Sequence, residues 1–215
     1  MKKFLFIALL AVFAASTASA QGWFGESDEE YEVTITVPPS QSTIIEKLFT
    51  AWGKKFPGRF VEAYHVSKKT GETENVRVVD VNDSDSYFKV DCSPKNGFIE
   101  TSVIDTTTDV NGYYTNLYTC SLTAVYWNLP NGNKLFGVCF NYDGPDIHDC
   151  DVGFYEYNAD KGVMTPNTAV TDKVREIIGS PKYFVQLPKI GRDIEYYDPN
   201  DTTTKKTIKW NGNGF

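Results

Sequence analysis

The sequence predicts an α+β fold that is mostly antiparallel β-structure, built from hairpins that carry two amphipathic helices. Short segments that alternate between apolar and polar residues recur along the chain and are separated by turn residues. Asn-Gly occurs twice between apolar segments, at residues 96–97 and 131–132, and this dipeptide is a strong hairpin signal. Apolar residues spaced three and four apart predict helices at residues 40–56 and 168–178.

The central hairpin is predicted to join a strand at residues 117–128 to a strand at residues 134–142. If Asn131-Gly132 forms a two-residue turn, Val125 lies opposite Val138. The same register aligns Trp127 with Phe136 and Ala124 with Cys139.

Both faces of this hairpin are apolar in that register. One face carries Val125, Trp127, Phe136, Val138 and Phe140, and the other carries Leu122, Ala124, Tyr126, Gly137 and Cys139. A sheet that is apolar on both sides usually has both sides covered. We therefore expect the hairpin to be central in its sheet, with a second layer on each face.

The two helices have clear start and stop signals. Ser40 or Ser42 can cap the first helix, which Pro57-Gly58 ends, and Gly179 ends the second. Their apolar stripes are Ile44, Ile45, Leu48, Phe49, Trp52 and Phe56 in the first helix, and Val170, Val174, Ile177 and Ile178 in the second. The stripes indicate helices packed on the sheet.

The remaining strands are predicted from alternation and from flanking turn residues. They cover residues 31–37, 60–66, 76–81, 87–91, 98–104, 151–157, 162–164, 183–187, 194–197 and 207–210. Residues 198–201 provide turn chemistry between the last two strands.

The N-terminal residues 1–20 have the pattern of a secretory signal peptide. Lys2 and Lys3 precede an apolar segment at residues 4–14, and Ala18-Ser19-Ala20 is an A-x-A cleavage site. We therefore expect the protein to be exported to the periplasm or the extracellular space. No later segment is long and apolar enough to insert the mature chain into a membrane.

The mature chain is predicted to contain a flexible acidic lead-in at residues 21–30 and one β-rich domain at residues 31–215. Without the two lysines of the signal peptide, 19 basic residues stand against 28 acidic ones, a net charge of −9. This balance disfavours nucleic-acid binding, which needs clustered Lys and Arg.

Four cysteines occur, Cys92, Cys120, Cys139 and Cys150. Export permits disulfides, but the residues are also consistent with small buried hydrophobic side chains, and the spacing leaves both alternatives open. The predicted register places Cys120 and Cys139 too far apart for a bridge with each other.

The densest polar cluster is the acidic loop at residues 143–151, which joins two predicted core strands. Its candidate binding residues are Asp143, Asp146, His148 and Asp149, since loops on a rigid scaffold often carry function. Gly144 comes early for a calcium loop and Pro145 stiffens the chain. We expect no structural metal and no cofactor. Residues 80–85 resemble part of a calcium loop, but Asp85 stands where that loop needs Gly, and an ordinary turn is the preferred interpretation.

No G-x-S-x-G, H-E-x-x-H or P-loop motif is present. A carbohydrate hydrolase needs only two suitably spaced carboxylates, which Glu62, Glu100 and Glu156 on predicted strands could supply. The 31 aromatic residues fit either a sugar-stacking surface or an aromatic-rich β-core, and we prefer the second interpretation.

With its signal peptide, aromatic hairpins and closing Trp210-Asn211-Gly212-Asn213-Gly214-Phe215, the chain resembles small exported proteins of unknown function from gut anaerobic bacteria. This resemblance assigns no functional residue. The leading hypothesis is an exported, non-enzymatic binding or interaction domain whose partner is a glycan or a protein, and the alternative is the carboxylate-pair hydrolase.

Overall fold

The computed structural model describes residues 33–79, 85–108, 114–144, 148–180 and 182–215. The predicted signal peptide, the acidic lead-in, most of the calcium-like segment at residues 80–85, and Asp146 lie outside these residues.

The chain is an α+β protein made mostly of antiparallel β-structure, as the sequence predicts. Its strands are β1 (Ile35–Thr36), β2 (Val76–Val79), β3 (Asp85–Ser93), β4 (Phe98–Thr108), β5 (Tyr114–Asn128), β6 (Lys134–Asp143), β7 (His148–Asn158), β8 (Val163–Pro166), β9 (Phe184–Gln186), β10 (Ile194–Asp198) and β11 (Asp201–Ile208). Eight of them form a large sheet in the order β1-β8-β7-β6-β5-β4-β3-β2, and β11-β10-β9 form a small sheet. The hairpin β5–β6 is therefore central, which confirms that expectation.

Both predicted helices are present, as α1 (Ile44–Lys55) and α3 (Thr168–Ile178). At the start of α1, the Glu46 carboxylate accepts hydrogen bonds from the Thr43 backbone N–H at 2.9 Å and from the Thr43 hydroxyl at 2.7 Å. At the start of α3, the Asn167 side chain accepts from the Val170 N–H. Gly179 ends α3 with a φ of 72°, in the left-handed region that favours glycine.

The predicted strand at residues 60–66 is wrong, because this segment belongs to a third helix, α2 (Arg59–Thr70). Its buried residues are Phe60, Val61, Ala63, Tyr64 and Ser67. They follow helical spacing, whereas their aromatic and β-branched side chains favour strands locally. Packing against the sheet outweighs that local preference.

The predicted register of the central hairpin is also wrong, by one residue. Val125 lies opposite Gly137 and Ala124 lies opposite Val138. Gly132 has a φ of 86° and its N–H donates to the Leu129 carbonyl at 3.1 Å, while the Leu129 N–H donates to the Asn133 carbonyl at 3.0 Å. The loop thus has three residues, 130–132, rather than two, because Pro130 occupies a turn position before Asn131.

This shift changes which side chains share a face, although both faces are covered as expected. The first core, on the side of α1 and α2, contains Leu122, Ala124, Phe136 and Val138 from the hairpin, with Phe140 packed against it. The second core, under α3 and the small sheet, contains Val125, Trp127, Leu135 and Cys139. Each strand of the hairpin therefore contributes to both cores.

None of the four cysteines is bridged to another. Cys120 lies in the first core and Cys139 in the second, so the sheet separates them. Among the helices that the structure describes, none combines the length and the apolar character needed to cross a bilayer.

Candidate functional site

The acidic loop places Asp143 and His148 as a directly opposed pair at the ends of β6 and β7. Nδ1 of His148 lies 2.5 Å from Oδ1 of Asp143. The carboxylate therefore orients the imidazole ring by accepting a hydrogen bond from its Nδ1 N–H.

The other ring nitrogen of His148 faces the small sheet. Nε2 lies 3.3 Å from Nδ2 of Asn200, in the turn between β10 and β11. An amide nitrogen donates, so Nε2 accepts, which agrees with a proton on Nδ1. Asp143 is also close enough to Tyr197 on β10 to raise the pKa of that phenol, an effect secondary to burial. The acidic loop and the β10–β11 turn thus form one continuous surface.

Asp149 lies on the opposite face of the sheet from this pair. It is opposite Tyr142, which packs on the first core, whereas Asp143 and His148 project to the side of the small sheet. Burial raises the pKa of Asp149 to about 6, and nearby Asp151 adds to the effect. Asp151 itself forms an ion pair with Arg175 of α3 at 2.5 Å.

The acidic loop therefore does not bring its candidate residues to one point. Asp143 and His148 share a face, Asp149 is on the other face, and Asp146 lies outside the described residues. Within the described part of the chain, no group of three or more His, Cys, Asp and Glu side chains is arranged to hold a metal ion.

Two aromatic side chains of the small sheet, Phe184 and Tyr197, pack on each other on its outer face. The rings of Phe184 and Tyr197 are stacked, with centroids 5.4 Å apart and an interplanar angle of 24°. The Lys205 ammonium lies 5.2 Å from the Tyr197 ring centroid. Because Phe184 and Lys205 both contact the Tyr197 ring, we interpret the stack as cross-strand packing rather than as a platform for a sugar.

The three predicted carboxylates do not converge. Glu62 lies on α2, on the other side of the large sheet from Glu100, which is on β4. Glu156 is on β7, separated from β4 by two strands, and accepts hydrogen bonds from Asn131 at 3.1 Å and Asn133 at 2.6 Å. The placement of Glu62 on a strand is thus a further error that follows from missing α2.

Glu100 instead has a neighbour that sequence analysis missed. Asp91 on β3 lies directly opposite Glu100. Burial raises the pKa of the Glu100 carboxyl, and Asp91 adds to this, while the Thr123 hydroxyl donates to it at 3.1 Å. Asp91 forms an ion pair with Lys189, from the loop after β9. The two carboxyl groups thus have different environments.

A surface groove of about 480 Å³ lies at the junction of α1 and α2. It is lined by Gly53, Lys54, Pro57, Gly58, Arg59, Val61, Glu62 and His65. Burial and the neighbouring Lys68 and Lys54 lower the pKa of His65.

The groove exists because two helices meet at a sharp turn. Phe56 is the C-cap of α1 and Gly58 is the N-cap of α2, so only residues 56–58 separate the two helices. The Arg59 guanidinium donates to the Ser86 hydroxyl, which ties the start of α2 to β3. Pro57-Gly58 ends a helix as the sequence predicts, but the prediction of a strand at residues 60–66 conceals the groove.

A scan against models of protein families and searches of curated proteins and of solved structures found nothing that matches this chain.

Proposed function

We propose that this protein is an exported, non-enzymatic binding module and that the α1–α2 groove is its ligand-binding site. The observation that carries the proposal is the groove itself, a shallow and mostly apolar depression between the two helices. Its apolar part comes from Pro57 and Val61, and its polar groups come from Lys54, Arg59, Glu62 and His65. Apolar surface with a few polar groups is the usual composition of such sites.

The ligand that this lining suits best is an oligosaccharide with a carboxylate group. Lys54 supplies an ammonium donor at the groove, and ammonium groups form charge-assisted hydrogen bonds with carboxylates. A ligand with one acidic sugar needs only this local charge, and the acidic surface elsewhere is screened beyond about 8–10 Å at physiological salt.

The test compares two short probes that differ in one acidic sugar. We expect xylotriose that carries one glucuronic acid to bind more tightly than plain xylotriose, as measured by calorimetry. Lys54→Ala should weaken binding of the acidic probe, whereas Lys55→Ala, an equal change outside the groove lining, should leave it unchanged. Equal binding of both probes by all three proteins, or no binding, would reject the assignment.

The exported location rests on the signal-peptide pattern and has its own test. Mass spectrometry of the protein recovered outside the cytoplasm should show an N-terminus at Gln21. Recovery of the chain with residues 1–20 intact would contradict cleavage.

One observation favours the alternative function, a carbohydrate hydrolase. Asp91 and Glu100 are two neighbouring carboxyl groups in different environments, and the raised pKa of Glu100 suits a general acid. The measurement is release of reducing ends from the same probes. Release that Glu100→Gln abolishes, while Glu156→Gln does not, would replace the binding proposal with this one.

A further inference from the structure

The helices α1 and α2 form a basic layer on a protein that is acidic as a whole. Together they carry six basic residues against two acidic ones, whereas the predicted mature chain has a net charge of −9. The basic residues are Lys47, Lys54, Lys55, Arg59, Lys68 and Lys69. Lys68 forms an ion pair with Glu46, and Lys54 is exposed at the α1–α2 groove. This layer attracts acidic segments that come within the screening distance of about 8–10 Å.

The groove adds apolar surface to this charge. Its lining includes the exposed Pro57 and the side chain of Val61, and Lys54 lies on its α1 side. Aromatic side chains suit such a depression because they bury a large apolar area, and carboxylates suit the ammonium group beside it. The groove therefore fits a peptide that carries aromatic and acidic residues close together.

The acidic lead-in at residues 21–30 has this composition. Trp23 and Phe24 are adjacent in it. Four acidic residues follow them and no basic residue is present in the segment. The lead-in thus complements the groove in both polarity and charge.

The direction of β1 brings the lead-in to the end of the large sheet where the groove lies. Ile35 lies opposite Met164, which in turn lies opposite Tyr157 of β7. Because these pairings are antiparallel, residues before Ile35 run level with the residues of β7 that precede Tyr157. Val33, the first described residue, is therefore level with Tyr155.

The helices are placed along the same direction. Lys47, near the start of α1, lies over the Tyr157 ring at 5.0 Å from its centroid. Phe60, in the first turn of α2, packs on Phe140 with ring centroids 5.6 Å apart, and Phe140 lies opposite Asp151. The α1–α2 junction is therefore level with the part of β7 near Asp151, beyond the point where the lead-in joins β1.

The lead-in is long enough to span this distance. From the level of Tyr155 to that of Asp151 is four residues of strand, about 13 Å. Phe24 precedes Val33 by nine residues, which reach up to about 30 Å when extended. Ile35 and the apolar stripe of α1 belong to the same core, so the lead-in joins β1 on the side of the helices.

We propose that the acidic lead-in docks in the α1–α2 groove of its own chain. Trp23 and Phe24 cover Pro57 and Val61, and the acidic residues that follow lie beside Lys54. An oligosaccharide must then displace the lead-in in order to bind. This consequence rests on the function proposed for the groove, whereas the docking itself does not.

The first test is hydrogen exchange of the full mature chain, residues 21–215, without any ligand. The N–H groups of residues 59–61 precede the first intrahelical hydrogen bond of α2, from the Glu62 N–H to the Gly58 carbonyl at 3.0 Å, so their exchange responds to cover by the lead-in. They should exchange about threefold faster or more when Trp23→Ser and Phe24→Ser are combined.

Two controls separate docking from a general change in the protein. Gln21→Ser combined with Gly22→Ser alters the neighbouring residues and should leave exchange at residues 59–61 as in the wild type. Helix α3, on the other side of the large sheet, should exchange equally in all three proteins. Equal exchange at residues 59–61 in the wild type and the aromatic double variant would overturn the docking. Protection that rises with protein concentration would also overturn it, because the occupant would then be the lead-in of a second copy.

The second test measures the affinity of each protein for xylotriose that carries one glucuronic acid. Exchange of a covered N–H group and binding of the probe both require the undocked state, so both should increase by the same factor in the aromatic double variant. Faster exchange with unchanged affinity would overturn the displacement and support the docking. Faster exchange when neither protein binds the probe would reject the function proposed for the groove and still support the docking.

Discussion

Asn141 on β6 and Val185 on β9 exchange two hydrogen bonds, which join the large sheet to the small sheet. Nδ2 of Asn141 donates to the Val185 carbonyl at 2.9 Å, and the Val185 N–H donates to Oδ1 at 2.9 Å. Both residues are buried. The Asn141 side-chain amide therefore satisfies the backbone N–H and carbonyl of Val185, as a neighbouring strand would. The small sheet is therefore fixed to the large sheet by a polar contact as well as by the second core.

Asn141→Ala should leave both buried Val185 groups without partners and destabilise the fold by about 2–4 kcal/mol. Urea unfolding would measure the change. The control is Asn133→Ala, which removes the partly buried contact to Glu156 and should cost less than about 1 kcal/mol. Equal losses for the two variants would show that the Asn141 contact has no special role.

Gly137→Ala should destabilise by about 1–3 kcal/mol, because an added methyl group overpacks the second core. A Cβ at this position would lie 2.9 Å from ring atoms of both Phe154 and Trp127. Thermal melts would measure the loss, and Phe154→Leu should recover part of it in the double variant. If the double variant loses the sum of the single effects, the clash is not the cause.

Trp52→Ala should destabilise by about 3–5 kcal/mol, as other large-to-small core changes do. Trp52 is fully buried on α1 and its ring packs against Phe49 and Phe56. A loss under about 1 kcal/mol in denaturant melts would contradict this core role.

Asp149→Asn should stabilise the protein by about 1 kcal/mol at pH 7.5 and should have little effect at pH 4. The value of about 1 kcal/mol includes a reduction for solvent screening of this partly exposed carboxylate. The folded-state pKa is raised to about 6 from 3.8, so the folded protein binds the proton more tightly than the unfolded chain does. The free energy of unfolding of the wild type therefore falls as the pH rises from 3.8 to about 6. Melts of both proteins at each pH give the measurement, and a larger gain at pH 4 would have the wrong sign.

Chelation should leave the melting midpoint unchanged, since we expect no structural metal at residues 143–151. The protein should be produced in medium that contains calcium and zinc and then melted with and without EDTA. A metal ion present at 100 times its dissociation constant would add about 2.7 kcal/mol to the free energy of unfolding. A midpoint lowered by chelator, and restored by metal only when Asp149 is intact, would show that the prediction is wrong.

The sequence predicts elements whose hydrophobic period agrees with their tertiary environment. The stripe of α1, with Leu48 and Trp52, is one example, and the Asn-Gly turns of two hairpins are another. The prediction from sequence fails for α2, because Phe60 and Tyr64 fit a local strand pattern but are buried on a helix. It also fails for the hairpin register, since a single extra loop residue reverses the faces of a whole strand.

The contacts of the candidate site also differ in how far apart their residues lie in the sequence. The Asp143–His148 contact spans five residues across one hairpin, so adjacent strands bring it together and the sequence could suggest it. The contact of His148 with Asn200 joins two sheets, and the opposition of Asp91 and Glu100 depends on register. Sequence spacing alone predicts neither of these two contacts. It does not predict the groove either, because the local strand pattern concealed α2.

The order of strands in the large sheet bears on how the chain reaches this structure. From β2 to β8 every strand pairs with the next one along the chain, so each added pairing closes only a short loop. Loop closure of that kind costs little entropy and favours fast formation of hairpins. The pairing of β1 with β8 instead brings together distant parts of the chain. The meander can therefore assemble by successive local steps, whereas the pairing of β1 closes the long loop between Thr36 and Val163.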